Sequence, residues 1–179
     1  MGILDIFDKN KREQSKKQNR LEKQFIVNFT IKKKVDEMVA RVQSLATLGR
    51  RDESKQEYAR IVNYLKHQIG LDPQNIKLKV YLATVYGWVL SPRDEVEAEN
   101  YLRTIVKEHL NDKNADLTYP YYMLGHLIYF NKKDGKEALK YLDLALKAPK
   151  GNDIDEETKK EHLSLVYSEI ERIKKNLTK

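Results

Sequence analysis

Cysteine is absent from the 179-residue chain. Without it the chain can hold no disulfide, no thiolate zinc site and no cysteine nucleophile. An HExxH pair, a glycine-rich phosphate loop and a Gly-x-Ser-x-Gly nucleophile elbow are also missing. The four histidines, none of which has a neighbour at metal-ligand spacing, are His67, His109, His126 and His162. We therefore expect a protein that is not an enzyme and that uses no metal and no cofactor.

Long apolar runs are missing as well. No run of the sequence approaches the ~20 residues that a membrane-spanning helix needs. The first residues mix apolar side chains with Asp5 and Asp8, which is not the pattern of a secretory signal. The expected location is therefore the cytoplasm, with peripheral contact at the inner membrane surface as the alternative.

Positive charge is concentrated near the N-terminus. The net charge is +7, and residues 1–34 contain ten Lys/Arg and four Asp/Glu, so this stretch alone accounts for +6. We interpret residues 1–24 as a basic, flexible N-terminal arm and residues 25–179 as a helical domain, of which residues 35–179 are nearly neutral at +1. The basic residues of the arm considered as binding residues are Lys9, Lys11, Arg12, Lys16, Lys17 and Arg20.

The arm admits two partners other than protein. Its apolar tip, followed by a basic run, is typical of a weak membrane-surface anchor, and the tip residues are Ile3, Leu4, Ile6 and Phe7. The basic run alone would contact nucleic-acid phosphates without sequence preference, although no aromatic residues are interleaved with it. An ordinary terminus, with its apolar residues packed against the domain or a partner, remains the third interpretation.

The next stretch, residues 25–31, is ambiguous. Phe25, Val27, Phe29 and Ile31 alternate as in a strand, while Phe25 and Phe29 are also spaced as on a helix. A lone strand would leave an unpaired edge, so we predict a helix. Because the run is too apolar to stay in water, it is also the expected place of an N-terminal cap or a partner contact.

From Val35 onward apolar residues recur at helical spacing. The pattern predicts three antiparallel hairpins, over residues 33–70, 73–110 and 118–149, followed by a capping helix over 154–177.

Turn and cap residues mark where the predicted helices begin and end. Gly49 is expected to stop the first helix, and Asp134 with Glu137 resembles a capping box at the start of another. The remaining predicted helix starts are Asp72-Pro73, Ser91-Pro92, and Thr118 with Pro120.

Residues 116–149 carry the most specific motif. Tyr121, Leu124-Gly125, Ala138 and the closing Pro149 follow the order of an aromatic, a Leu-Gly pair, a small residue and a final proline. This stretch resembles a tetratricopeptide repeat. Gly125 and Ala138 would let two helices approach closely, and a single hairpin cannot bury its apolar face alone. Neighbouring copies are therefore expected in the rest of the chain.

The match to the repeat family is partial. Ile128 and Leu142 stand where the family has aromatics, and the aligned small residues Ala59, Ala98 and Ala138 are 39 and 40 residues apart, whereas the family repeat has about 34 residues. HEAT-like and other helical-hairpin arrays stay open. The fold that the resemblance implies is all-α, a right-handed array of about three hairpins closed by the C-terminal helix.

In tetratricopeptide-like arrays the first helices of successive hairpins line a concave groove that receives a peptide or a partner helix. Carried over to this chain, the resemblance implies groove positions at Lys77, Val80, Thr84, Trp88, Tyr119, Tyr122, His126 and Tyr129. The alternative is that the aromatics among them pack between hairpins. The leading function hypothesis is a protein-binding adaptor or scaffold, followed by nucleic-acid association and then membrane association through the arm.

Overall fold

The computed structural model describes residues 3–88, 94–112, 115–148 and 156–177, and for residues 3–13, 17–26 and 88 it describes the backbone alone. Within these ranges every regular element is a helix and there is no strand, so the all-α prediction is confirmed. The helices are α1 (Ile3–Thr47), α2 (Arg51–Leu71), α3 (Ile76–Trp88), α4 (Glu95–His109), α5 (Thr118–Lys132), α6 (Gly135–Lys147) and α7 (Glu156–Leu177).

Each helix packs against the next one in the chain, and α1 also touches α3 while α5 also touches α7. The short connections at residues 48–50 and 133–134 fold the chain back on itself, which makes α1–α2 and α5–α6 helical hairpins. One continuous apolar core runs through the hairpins. Alternate helices α1, α3, α5 and α7 therefore come to share one side of the molecule.

The residues of the repeat motif lie in this core. Leu82, Leu124, Ala98 and Ala138 are each 0 % exposed, as close helix packing requires. Ala59, which the sequence alignment placed beside them, is exposed on α2. The alignment therefore fails in the first hairpin, where Tyr58 and Ile61 face the core instead.

Helix termini follow some of the predicted signals. Asp134 Oδ1 accepts the Glu137 N–H at 2.8 Å and opens α6, as predicted. Gly49 follows the end of α1 with φ +74°, a left-handed conformation that glycine adopts without strain. Lys133, with φ 55°, fills the equivalent place after α5.

The remaining predicted helix starts are confirmed in part. Asp72 is the C-cap of α2, and Asn75 caps α3 instead, its Oδ1 accepting the Leu78 N–H at 3.3 Å. Helix α5 begins at Thr118, as predicted, with Pro120 in its first turn, but Thr118 does not cap it: its own N–H donates to Asp116 Oδ1 at 2.9 Å. Residues 91 and 92 lie outside the described ranges, and α4 begins at Glu95, where Asp94 Oδ1 accepts the Glu97 N–H. At α3 and α4 a side chain next to the helix satisfies a free N–H group.

Helix α1 is unbroken from Ile3 to Thr47, so residues 25–31 are helical as predicted, and helix also runs through the segment interpreted as an arm. Paired with the 21 residues of α2, the last part of α1 leaves residues 3–26 extending roughly 36 Å beyond the end of α2. Lys16 is exposed. The side chains of the other predicted arm residues, basic and apolar, lie outside the described part.

The last helix, predicted over 154–177, is α7 at Glu156–Leu177. Val166 and Ile173 are buried in its contact with the preceding helices. Tyr167 and Leu177, predicted on the same apolar face, are 57 % and 58 % exposed, so that face is narrower than the sequence pattern indicates. Among the helices described, none is long and apolar enough to cross a membrane.

Candidate binding groove

An open cavity of about 540 Å³ lies where α1, α3, α5 and α7 come together. Its walls are residues from the middle of α1 and the N-terminal half of α7, and its floor comes from the N-terminal parts of α3 and α5. We call this cavity the groove. The residues that give it its chemical character are Phe29, Lys32, Asp36, Lys77, Val80, Tyr81, Thr84, Asp116, Tyr119, Glu161, His162 and Leu165.

Apolar and aromatic side chains form most of the groove surface. Phe29 on α1 and Leu165 on α7 are 61 % and 41 % exposed, although large apolar side chains are usually buried. Val80, Tyr81 and Tyr119 lie between them as partly buried residues that also pack against the core. The groove therefore offers apolar surface that water solvates poorly.

The two tyrosines add polar tips to this surface. Burial, and secondly the charge of Asp36, raise the pKa of Tyr81 to about 12. Burial also raises the pKa of Tyr119, against the opposing effect of its hydrogen bond to Thr84. Both phenols therefore stay neutral near pH 7 and keep a hydroxyl that can donate a hydrogen bond.

Two carboxylates of the groove, Asp36 and Asp116, have partners that also line the groove. Lys32 Nζ lies 2.6 Å from Asp36 Oδ2. The buried Asp116 carboxylate lies 3.4 Å from Nδ1 of His162, whose ring stacks on Tyr119 at 4.8 Å between centroids. Burial alone would raise the pKa of Asp116, but hydrogen bonds from His162 and Thr118 outweigh it and lower the pKa. Asp116 is therefore a structural anion that ties α5 to α7.

Lys77 on α3 and Glu161 on α7 differ from these groups. Both line the groove, and neither has a hydrogen bond or ion pair with the described part of the chain. Their charges are therefore available to a ligand.

The structure brings together half of the predicted groove residues. Lys77, Val80, Thr84 and Tyr119 line the groove. The side chain of Trp88 lies outside the described part.

The other predicted groove residues, Tyr122, His126 and Tyr129, lie farther along α5, where α7 covers them. His126 Nδ1 is 3.1 Å from Glu169 Oε1, and Asn176 Nδ2 donates to Tyr129 Oη at 3.0 Å. Tyr122 is only 6 % exposed. These three side chains therefore contact the last helix rather than the open groove.

A buried carboxylate explains why α7 lies across this part of α5. Glu169 is 6 % exposed and is bound by His126 from α5 and by Arg172 from its own helix, the Arg172 Nε at 2.9 Å. Burial alone would raise the pKa of Glu169, but these two hydrogen bonds outweigh it and lower the pKa. A buried carboxylate is tolerated only with such partners, so Glu169 fixes the position of α7.

Sequence reasoning missed Tyr81, Glu161 and Leu165 as groove residues. Phe29 was indicated only as part of the apolar run at 25–31. The signal for the α7 residues was present: Thr158, Glu161, His162 and Leu165 recur at helical spacing, on a face that adjoins the one that holds Val166 and Ile173. Assigning α7 only the role of a cap left that face without an interpretation.

Over the described ranges, no group of three or more His, Asp or Glu side chains is placed to hold a metal ion. Comparison of the chain with protein-family models, with curated proteins and with solved structures gave no match.

Proposed function

We propose that this chain is a non-catalytic adaptor, a right-handed tetratricopeptide-like array that binds a peptide segment or helix of another protein in the groove. The observation that carries the proposal is an open groove lined by alternate helices, with exposed Phe29 and Leu165 on opposite walls. Apolar surface of this kind on a folded protein marks an interaction site more often than an isolated exposed residue does.

The residues that line the groove suit the binding of a peptide better than catalysis. Tyr81 and Tyr119 combine a large apolar ring with a neutral hydroxyl, which is the character of side chains that dominate binding energy at interfaces. The volume of about 540 Å³ is enough for a few side chains. The carboxylates that line the groove include Asp36 and Asp116, which already have partners, so they serve structure.

The arrangement of the helices supports the array. Successive hairpins place α1, α3 and α5 as first helices, and α7 continues the series by packing on both α5 and α6. Small buried residues stand at the contacts within hairpins, Ala98 on α4 and Ala138 on α6. A stack of this kind leaves one concave face made of first helices, which is where the groove lies.

The test compares two chains that carry the same chemical change. Phe29→Glu places a carboxylate on the groove wall, and Val96→Glu places one at a 72 % exposed position on α4 that does not line the groove. Proteins captured from lysate by the parent chain and by Val96→Glu, but lost with Phe29→Glu, are groove partners. For a purified partner we expect Phe29→Glu to weaken binding by about tenfold or more. Equal capture by all three chains would refute binding in the groove.

A second candidate function is association with nucleic acid or an anionic membrane surface through the basic segment. It is favoured by the continuity of α1, because the segment is part of this helix and extends beyond the end of α2. Deletion of residues 1–24 would abolish binding to nucleic acid or to vesicles containing phosphatidylserine, and nuclease treatment would separate the two. Binding that persists after the deletion would rule out the segment as its cause.

A further inference from the structure

The charges that line the groove come from different helices. Its lysines, Lys32 and Lys77, belong to α1 and α3, Asp116 lies two residues before α5, and Glu161 belongs to α7. Asp36 on α1 pairs with Lys32 at 2.6 Å, and Asp116 pairs with His162. Within the described part of the chain, the charged groups of the groove left without an ion pair are Lys77 on α3 and Glu161 on α7.

The groove also presents apolar surface. Phe29 on α1 and Leu165 on α7 present exposed apolar surface toward the same cavity. Tyr81 lines it as well and supplies a neutral hydroxyl. An apolar side chain placed between Phe29 and Leu165 would remove surface of both from water, at about 25 cal/mol for each Å² of apolar area.

We propose that the groove selects a peptide segment that combines an apolar residue with an acidic and a basic residue, with the acid at Lys77, the base at Glu161 and the apolar side chain against Phe29 and Leu165. The inference rests on the proposed function and specifies its ligand.

The selection works mainly by exclusion. A ligand that fills the groove takes water away from Lys77 and Glu161, and a charge that loses water without gaining a partner is costly. A segment whose charges are both of one sign would place like charges together at Lys77 or at Glu161, which is more unfavourable still. Complementary charges beside an apolar contact therefore determine which segment binds.

The experiment uses a phage-displayed library of random linear peptides of roughly twelve residues, long enough to span such a groove. The full-length chain is the target, and phage that also bind Phe29→Glu are removed. A second and a third selection use the full-length single variants Lys77→Glu and Glu161→Lys. Circular dichroism and melting curves confirm that each variant is folded, which is expected because Lys77 is partly exposed and Glu161 exposed.

We expect the parent chain to enrich peptides with an acid and a base beside an apolar residue, Lys77→Glu to enrich peptides with two bases, and Glu161→Lys to enrich peptides with two acids. A synthetic peptide from the first selection should bind Lys77→Glu about tenfold more weakly than the parent. Replacing the acid of that peptide by a base should restore its affinity for Lys77→Glu. This restoration is the decisive result, because a merely unstable variant would not show it.

Two results would overturn the inference, and they differ in what they say about the proposed function. Peptides that depend on Phe29 but carry no such charges, or bind both single variants as tightly as the parent, refute the selection by charge and leave the adaptor function intact. A selection that enriches no Phe29-dependent peptide counts against both.

Discussion

A Cβ atom on Gly125 would lie 2.9 Å from Cγ of Leu142 and 3.0 Å from the carbonyl oxygen of Ala138. The first is the branch point of a fully buried side chain and the second is backbone, so neither can move aside easily. Helices α5 and α6 therefore touch through the space that a side chain at residue 125 would occupy. This contact also fixes the floor of the groove, because α5 carries Tyr119.

Gly125→Ala is therefore expected to lower the free energy of unfolding by about 1–2 kcal/mol, since overpacking outweighs the gain in helix propensity. The matched control is Gly70→Ala in the last turn of α2, where nothing lies within 4 Å of the added Cβ. That change should raise the free energy of unfolding by up to about 1 kcal/mol. Urea unfolding measures both, and equal effects of the two substitutions would contradict the close contact.

A buried amide pair joins α1 to the start of α3. Asn75 Nδ2 donates to Asn28 Oδ1 at 2.9 Å, and Asn75 Oδ1 also accepts the Leu78 N–H. We expect Asn28→Ala to cost about 1–3 kcal/mol of stability because it leaves one N–H of the buried Asn75 amide without its partner, the other hydrogen bond of that amide being to Asp72 Oδ2 at 3.1 Å. Asn75→Ala should cost more, since it also removes the cap of α3. Asn63→Ala, at an exposed position on α2, should be nearly neutral in the same unfolding assay.

Local features of the fold were predictable from sequence because neighbouring residues determine them. Each of these features acts within one or two helices: the apolar periodicity of the hairpins, the small residues Ala98 and Ala138, and the Asp134 cap. The cap of α3 was mispredicted since Asp72 and Asn75 are both suitable cap residues, and only the length of α2 decides between them. Sequence spacing therefore identified helices better than it identified their ends.

The candidate site was harder to predict because it depends on which helices meet. Tyr119 and Tyr122 are three residues apart on α5, and helical spacing places both on one face. Only the position of α7, fixed by Glu169, leaves the first at the open groove and covers the second. The groove residues Glu161 and Leu165 come from that same helix, whose packing partner no local pattern indicates.

The covered tyrosine gives a direct test of this arrangement. Tyr122→Ala is expected to cost about 3 kcal/mol or more in urea unfolding, because it empties a buried site between α5 and α7. Phe29→Ala, at a 61 % exposed groove position, should change stability by far less. If Tyr122→Ala instead leaves stability intact and weakens partner binding, Tyr122 belongs to the groove, as the sequence predicts.

The stability of the fold should depend on pH through two carboxylates. The pKa values of Asp116 and Glu169 are lowered in the folded chain. Between the folded and the unfolded pKa values, the unfolded state therefore binds more protons than the folded state. Their contribution is therefore fully present above the ordinary carboxyl pKa of about 4 and is lost as pH falls through the lower folded values.

Asp116→Asn and Glu169→Gln should flatten the loss of stability in urea titrations between neutral pH and about pH 2, because each removes one such proton uptake. Glu157→Gln, at an exposed position on α7, is the control and should keep the parent slope. An unchanged slope in both test variants would show that neither carboxylate is linked to folding.

Removal of residues 1–24 should leave the melting temperature of the remaining chain nearly unchanged. The described buried side chains of α1 begin at Asn28 and include Ile31, Val35 and Val42, all of which the deletion retains. Calorimetry of the shortened and full chains provides the measurement. A drop of more than a few degrees would place part of residues 1–24 in the core, since about 1 kcal/mol shifts melting by 2–4 °C in a chain of this size.

Because α1 is continuous, the groove wall that it forms and the basic segment belong to one helix. Phe29, Lys32 and Asp36 stand on the same unbroken helix as residues 3–26, and a packed helix transmits displacement along its length. A partner or surface that held the N-terminal end would therefore set the angle of one wall against the other. Attachment of the N-terminal end would then influence binding at the groove. The direction of this attachment would determine the side from which a ligand enters.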